Sequence, residues 1–175
     1  MDSIYDEPFL SLKDAAKHLR LSVLQVRAAV NIDPDTGHPA HRSFFPHAYK
    51  ATPGRTSPVR IPVRDIHTFK ESQAGRRDDG SFIYDEPFMT LNQAAKHLRL
   101  SLYQMRTILQ FEPEDARPQG GSAFPNAYKE TPAVNSSIRI PMTDIEDYKR
   151  NRVNGSKSPV ASNAGNSPAL EAAAS

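Results

Sequence analysis

The sequence predicts an α+β protein, mainly helical with small β-hairpins, in which one fold is built twice along the chain. Two observations predict it. The octet Ala-Ala-Lys-His-Leu-Arg-Leu-Ser stands at Ala15–Ser22 and again at Ala94–Ser101. Sliding the chain against itself by 79 positions aligns Ile4–Lys70 with Ile83–Lys149 without a gap, and 34 of 67 positions are identical. Within each copy, two short helical patterns precede two extended runs and a last helical pattern. Replacements keep character, as at Val23/Leu102, Val26/Met105, Ile32/Phe111 and Val59/Ile138. A unit of about 70 residues folds alone with modest burial, and a period near 80 is too long for a solenoid. The expected organisation is two tandem domains, 4–70 and 83–150.

The first helix is predicted from Ser11-Leu-Lys-Asp-Ala-Ala-Lys-His-Leu19, where Leu12, Ala15, Ala16 and Leu19 form one apolar stripe behind a Ser11 cap. In the second copy, Thr90 followed three positions later by Gln93 is a capping-box pattern. Arg20-Leu21 make a turn into Ser22, and Ser22/Gln25 and Ser101/Gln104 are again capping boxes. The second helix is therefore expected from Val23 to about Val30. Val26, Ala29 and Val30 should face inward, and Val23, Leu24, Arg27 and Ala28 outward. After the loop Asn31–Ser43 come Phe45–Lys50 and Val59–Ile61, extended runs flanking a Pro/Gly/Ser/Thr loop, which predict a hairpin. Pro62 ends it, and Asp65–Lys70 is expected as a short third helix with Ile66 and Phe69 inward. Helix, turn, helix, hairpin, helix is the order of a winged helix-turn-helix. Arg20 and Arg99 occupy the turn position where such motifs often carry glycine.

Glu71–Phe82 is polar, with two glycines and no apolar periodicity, and reads as a linker that could stretch to roughly 40 Å. Residues 151–175, rich in Ser, Asn, Ala, Gly and Pro, are expected to be disordered. The chain has no cysteine and no apolar run long enough to span a bilayer, and its start lacks the features of a secretory signal. A cytoplasmic location, on the nucleoid of a bacterial host, is the expectation. Net charge is only +2, so a nucleic-acid footprint has to come from local clustering of Lys and Arg. No phosphate loop, nucleophile elbow or metal motif occurs, so neither an enzyme nor a cofactor is expected. His38-Pro-Ala-His41 has ligand-like spacing, but its counterparts are Arg117 and Gly120.

The stretches Leu10–Arg27, Phe45–Lys50 and Val59–Phe69, with their copies Met89–Arg106, Phe124–Lys129 and Ile138–Tyr148, resemble the excisionase-type small winged helices of phages and mobile elements. These are similar to the DNA-binding heads of MerR-type regulators. The resemblance covers about four-fifths of the chain. It implies a second helix in the major groove, a wing on the adjacent backbone, and a role in excision or transcription control. The implied partners are double-stranded DNA, an integrase, and further copies of the chain on that DNA.

The candidate base readers lie on the outer face of the second helix: Leu24, Gln25, Arg27 and Ala28, and in the second copy Tyr103, Gln104, Arg106 and Thr107. Arginine pairs with both acceptors of guanine, and glutamine with adenine, although Gln25 and Gln104 are equally explained as caps. Leu24/Tyr103 and Ala28/Thr107 differ between copies, so the two heads should prefer different half-sites. Candidate backbone contacts are Lys17, Arg20 and Ser22 with Lys96, Arg99 and Ser101 around the helix start, and Lys50, Arg55, Arg60, Lys129 and Arg139 in the wings. The competing expectation is a protein-interaction module, suggested by near-neutral charge and by the apolar outer positions Val23, Leu24, Leu102 and Tyr103. A mixed role, one copy on DNA and the other on a partner, is a third.

Overall fold

Each repeat opens with a short strand that the periodicity did not predict, and this strand turns the expected hairpin into a three-stranded sheet. The computed structural model describes residues 7–52, 54 and 56–153. Ile4–Asp6, Arg55 and tail residues 154–175 lie outside them. In the first repeat, β1 (Phe9–Ser11) leads into α1 (Leu12–Leu19) and α2 (Val23–Val30). Then come β2 (Tyr49–Lys50), β3 (Val59–Pro62) and α3 (Val63–Ala74). The second repeat follows the same order: β4 (Phe88–Thr90), α4 (Leu91–Leu98), α5 (Leu102–Leu109), β5 (Tyr128–Lys129), β6 (Ile138–Pro141) and α6 (Met142–Val153). The central strand of each sheet is the later hairpin strand, with order β1-β3-β2 and β4-β6-β5, all antiparallel. The protein is thus α+β, with six α-helices and two small sheets among the described residues.

Caps set the helix bounds. The Ser11 hydroxyl accepts from the Asp14 N–H, and Thr90, Ser22 and Ser101 complete capping boxes with Gln93, Gln25 and Gln104. Ala15, Ala16 and Leu19 of α1 and Val26, Ala29 and Val30 of α2 are buried, as their spacing predicts. The turn after α1 is closed by Arg20 in the left-handed region at φ 54°, and Arg99 repeats it at φ 55°. A left-handed non-glycine residue costs roughly 1–2 kcal/mol. The return is that Leu21 N–H reaches Ala16 O at 2.9 Å and Leu100 N–H reaches Ala95 O at 2.9 Å, satisfying carbonyls the helix leaves open.

The hairpin is tied to the third helix by one buried carboxylate in each repeat. Asp65 accepts from the His47 backbone N–H at 2.8 Å and lies 2.7 Å from its ring Nδ1. Asp144 accepts from the backbone and the side-chain amide of Asn126, both at 2.8 Å. Phe45 stacks on Phe69 with ring centroids 5.2 Å apart, and Phe124 on Tyr148 at 5.1 Å.

Residues 71–82 do not form an extended connection. The third helix, expected to end at Lys70, runs on to Ala74, because Lys70, Gln73 and Ala74 continue its buried face. The stripe was not legible as apolar periodicity because two of its members are polar. Arg76–Phe82 then folds into a tight turn. Arg76 bridges to Phe82, Arg77 N–H donates to Ser81 O at 2.9 Å, and Asp79 accepts from the Ser81 N–H and hydroxyl. The last helix likewise runs to Val153, so residues 151–153, expected in the disordered tail, are helical.

The two repeats are joined by a polar, largely buried seam. Ile83, Tyr84 and Tyr128 of the second repeat belong to the first repeat's core. The Tyr84 hydroxyl donates to Leu19 O at 3.0 Å, and the Tyr128 hydroxyl to Tyr84 O at 3.2 Å. Arg139, 2% exposed, donates to Arg20 O at 2.8 Å and to Glu130 at 2.7 Å, and its guanidinium lies 4.4 Å from the Phe88 ring centre. In return, Arg20 donates to Asp85 O at 2.9 Å and Glu86 O at 3.0 Å. Leu19 and Arg20 carbonyls close the C-terminus of α1, where the backbone dipole favours a cation. Buried Lys70 bridges Asp85 at 2.6 Å and His18 Nε2 at 3.0 Å. Arg117 donates to Glu71 O at 2.6 Å, and Arg77 pairs with Glu86 and Thr143.

This seam should respond to pH through His18. His18 accepts from the Lys70 ammonium, so its ring is neutral in the fold. Burial, then the Lys70 charge, holds its pKa below the usual 6.5, with Asp85 opposing. The unfolded chain therefore binds the proton first as pH falls. The contribution of neutral His18 is complete above about 6.5 and is lost as pH drops through the lowered value. Thermal midpoints measured at about pH 8 and about pH 5 should fall more in the wild type than in His18→Gln. Equal falls would remove His18 from the account.

Candidate nucleic-acid interface

The candidate surface is built from the outer faces of α2 and α5 and the loops beside their N-termini. Burying Val26 and Val30, or Met105 and Leu109, leaves the opposite face in solvent. Leu24 is 74% and Tyr103 80% exposed. Gln25, Arg27 and Ala28 are also exposed on α2, as are Gln104, Arg106 and Thr107 on α5. Among the described residues, neither Arg27 nor Arg106 makes a side-chain hydrogen bond or ion pair, so each guanidinium can engage an acceptor from outside. The Thr107 hydroxyl is turned inward onto Tyr103 O at 3.0 Å.

Gln25 and Gln104 carry the capping role in full. Their side-chain oxygens accept from the Ser22 and Ser101 N–H groups at 2.8 and 2.9 Å, and Ser22 and Ser101 accept in return. Only the amide NH2 ends are left for a ligand, half of what bidentate reading of adenine needs. Lys17 and Lys96 are exposed one turn before these caps.

The predicted backbone contacts separate into available and unavailable groups. Arg139 is enclosed in the seam and Lys129, 4% exposed, donates to the carbonyls of Glu112 and Pro113. Burial therefore removes both as candidate phosphate contacts. Arg20 is exposed but committed to the Asp85 and Glu86 carbonyls, whereas its counterpart Arg99 is free of side-chain partners among the described residues. Lys50 donates to Gly54 O at 2.9 Å across the hairpin, and Arg60 lies 4.3 Å from the Phe9 ring centre. Arg55 lies outside the described residues. The surviving cations are the matched pairs Lys17/Lys96 and Arg27/Arg106, together with Arg99, whose counterpart Arg20 is engaged.

Sequence reasoning missed the seam and with it the roles of Tyr84, Asp85, Glu86 and Arg139. A signal was present. Ile4–Phe9 and Ile83–Phe88 are identical over six consecutive residues, although neither stretch has helical or strand periodicity to explain the identity. No helix of the described residues is long and apolar enough to cross a membrane. Comparison of the chain with protein-family models, curated proteins and solved structures gives no match.

Proposed function

We propose that the protein is a sequence-specific binder of double-stranded DNA, in which two tandem winged helix-turn-helix heads read two half-sites. The observation that carries this reading is the unengaged arginine at the same place on both exposed helix faces, Arg27 on α2 and Arg106 on α5. A short capped helix with one face in solvent fits the major groove, and arginine supplies its commonest specific contact. Lys17 and Lys96 beside the helix starts would hold phosphates and fix the register. The two roles in view are a recombination directionality factor that assists excision of a mobile element and a phage-type transcription regulator.

The test is selection from random duplex DNA at two salt concentrations, followed by Arg27→Ala and Arg106→Ala assayed separately. Each substitution should cost about 1–3 kcal/mol and relax preference at a different half-site. Unchanged affinity and preference in both variants would refute the assignment of the reading helices. The second reading is a protein-interaction module. It is favoured by the exposed Val23, Leu24, Leu102 and Tyr103, which put apolar side chains where a reading face usually carries polar ones. No enrichment in the selection, with weak salt-sensitive binding alone, would favour it.

A further inference from the structure

The outer face of α2 offers hydrogen-bond donors and apolar surface, with its side-chain acceptors already spent. Leu24, Gln25, Arg27 and Ala28 are all exposed on it. Arginine is a donor only. Gln25 has both functions, but its Oε1 accepts from the Ser22 N–H at 2.8 Å, and the Ser22 hydroxyl accepts from the Gln25 N–H at 3.2 Å. The capping box thus takes the oxygens and leaves the Gln25 amide NH2. Leu24, 74% exposed, and Ala28 are four residues apart, so they adjoin on one face. Neither Asp nor Glu occurs in α2, which suits the face to a polyanion.

Such a face sorts the bases by what it lacks. In the major groove guanine shows two acceptors, and thymine shows one acceptor beside a C5-methyl. Adenine and cytosine each show an amino donor, which meets no free acceptor here. A donor covered by the helix and left without a partner weakens binding by the cost of desolvating it. Residues 24–28 rise about 6 Å along the helix, and base pairs stack roughly 3.4 Å apart, so the face covers about three of them. Leu24 and Arg27, three residues apart, are separated by about 5–6 Å, or about one to two base-pair steps. The second head differs at this point. Gln104 is held in its cap in the same way, but Tyr103, 80% exposed, replaces Leu24 and brings a hydroxyl that both donates and accepts.

We propose that the first head selects the keto bases, guanine and thymine, on one strand of its half-site, with Leu24 packed on the C5-methyl of a thymine close to the guanine taken by Arg27. The inference rests on the DNA-binding reading and names what that reading recognises. Leu24 is then a specificity-determining residue, and its exposed apolar side chain has a use on DNA without a protein partner. Gln25 sets the class of base by donating its NH2 while its oxygen is withheld in the cap. The second head, with the Tyr103 hydroxyl as an acceptor, admits adenine or cytosine at the matching place.

The experiment is selection from random duplex DNA with the full chain, the first half-site being the one whose preference Arg27→Ala relaxes. That half-site should carry only guanine and thymine over about three consecutive positions of one strand. Replacing its thymine by deoxyuridine removes the methyl alone, and should weaken wild-type binding about 4-fold, the worth of one buried methyl. Leu24→Ala should bind the thymine and uracil duplexes equally. Gln25→Glu keeps the capping box and adds an acceptor, so a repeated selection should admit cytosine or adenine in the first half-site and leave the second unchanged. Thermal melting reports that both variants are folded. A first half-site that mixes keto and amino bases on each strand, or lacks thymine, overturns this inference while DNA binding stands. So does equal wild-type affinity for thymine and uracil, an unaltered preference in Gln25→Glu, or an Arg27→Ala preference equal to the wild type's. No enriched duplex at all overturns the DNA-binding reading and this inference with it.

Discussion

Arg139→Ala should destabilise the protein by about 3 kcal/mol or more, while Arg60→Ala, the same change at the same place in the other repeat, should cost less than about 1 kcal/mol. The sequence makes the two arginines equivalent, and the environment separates them. Arg139 is 2% exposed, with Glu130, the Leu19 and Arg20 carbonyls, and the faces of Phe88 and Tyr84 around it. Deleting it strands a partly buried carboxylate and the Arg20 carbonyl in a site that water enters poorly, while the Leu19 carbonyl keeps the Tyr84 hydroxyl. An unsatisfied buried group costs about 1–3 kcal/mol, more when charged. Arg60 stacks on half-exposed Phe9 in reach of solvent, and its removal leaves nothing stranded among the described residues. Urea denaturation of both variants measures the difference. If the seam couples the repeats, wild type should unfold in one transition and Arg139→Ala in two. Equal costs, within about 0.5 kcal/mol, would mean that the seam contributes little in solution.

The contrast also shows what the residue pattern could and could not say. The bounds of α1 and α2 were legible because their caps, Ser11, Ser22 and the paired glutamines, are local, and local geometry is written in neighbouring residues. The strand Phe9–Ser11 was not legible. Three residues are too few for an alternation to register, and its partner Arg60–Pro62 lies some 50 positions away. The seam was the largest omission. Its chemistry is carried by tyrosine hydroxyls, a lysine and arginines, residue types expected in solvent, and polarity in residues 71–82 therefore suggested a linker. On the candidate surface, the outward face of α2 followed directly from its buried stripe. Loss of Lys129 and Arg139 to the interior did not, because periodicity cannot distinguish an exposed strand arginine from one covered by a neighbouring repeat.

If the protein reads DNA as proposed, the seam sharpens the expected site. Two heads on a flexible connection of about 40 Å could follow half-sites of either orientation and variable spacing. Heads held by Tyr84, Arg139, Arg20 and Lys70 cannot. Inverted half-sites require a two-fold axis relating the heads, as in palindromic operators. The seam has no such axis, since the α1 end of one repeat meets the sheet of the other. If both heads dock alike, the half-sites run in the same direction, and they differ in sequence where Leu24 and Ala28 give way to Tyr103 and Thr107. Inserting about half a helical turn between selected half-sites should reduce affinity on the order of 100-fold, to that of a single head, because the second site is carried to the opposite face of the duplex. Inverting one half-site should have the same effect. Electrophoretic mobility shifts at constant salt measure both. Arg139→Ala should bind the original site more weakly but lose its discrimination against the lengthened one, since loosening the seam returns reach at the expense of preorganisation. Equal affinity of the wild type for all spacings would show that the heads bind independently.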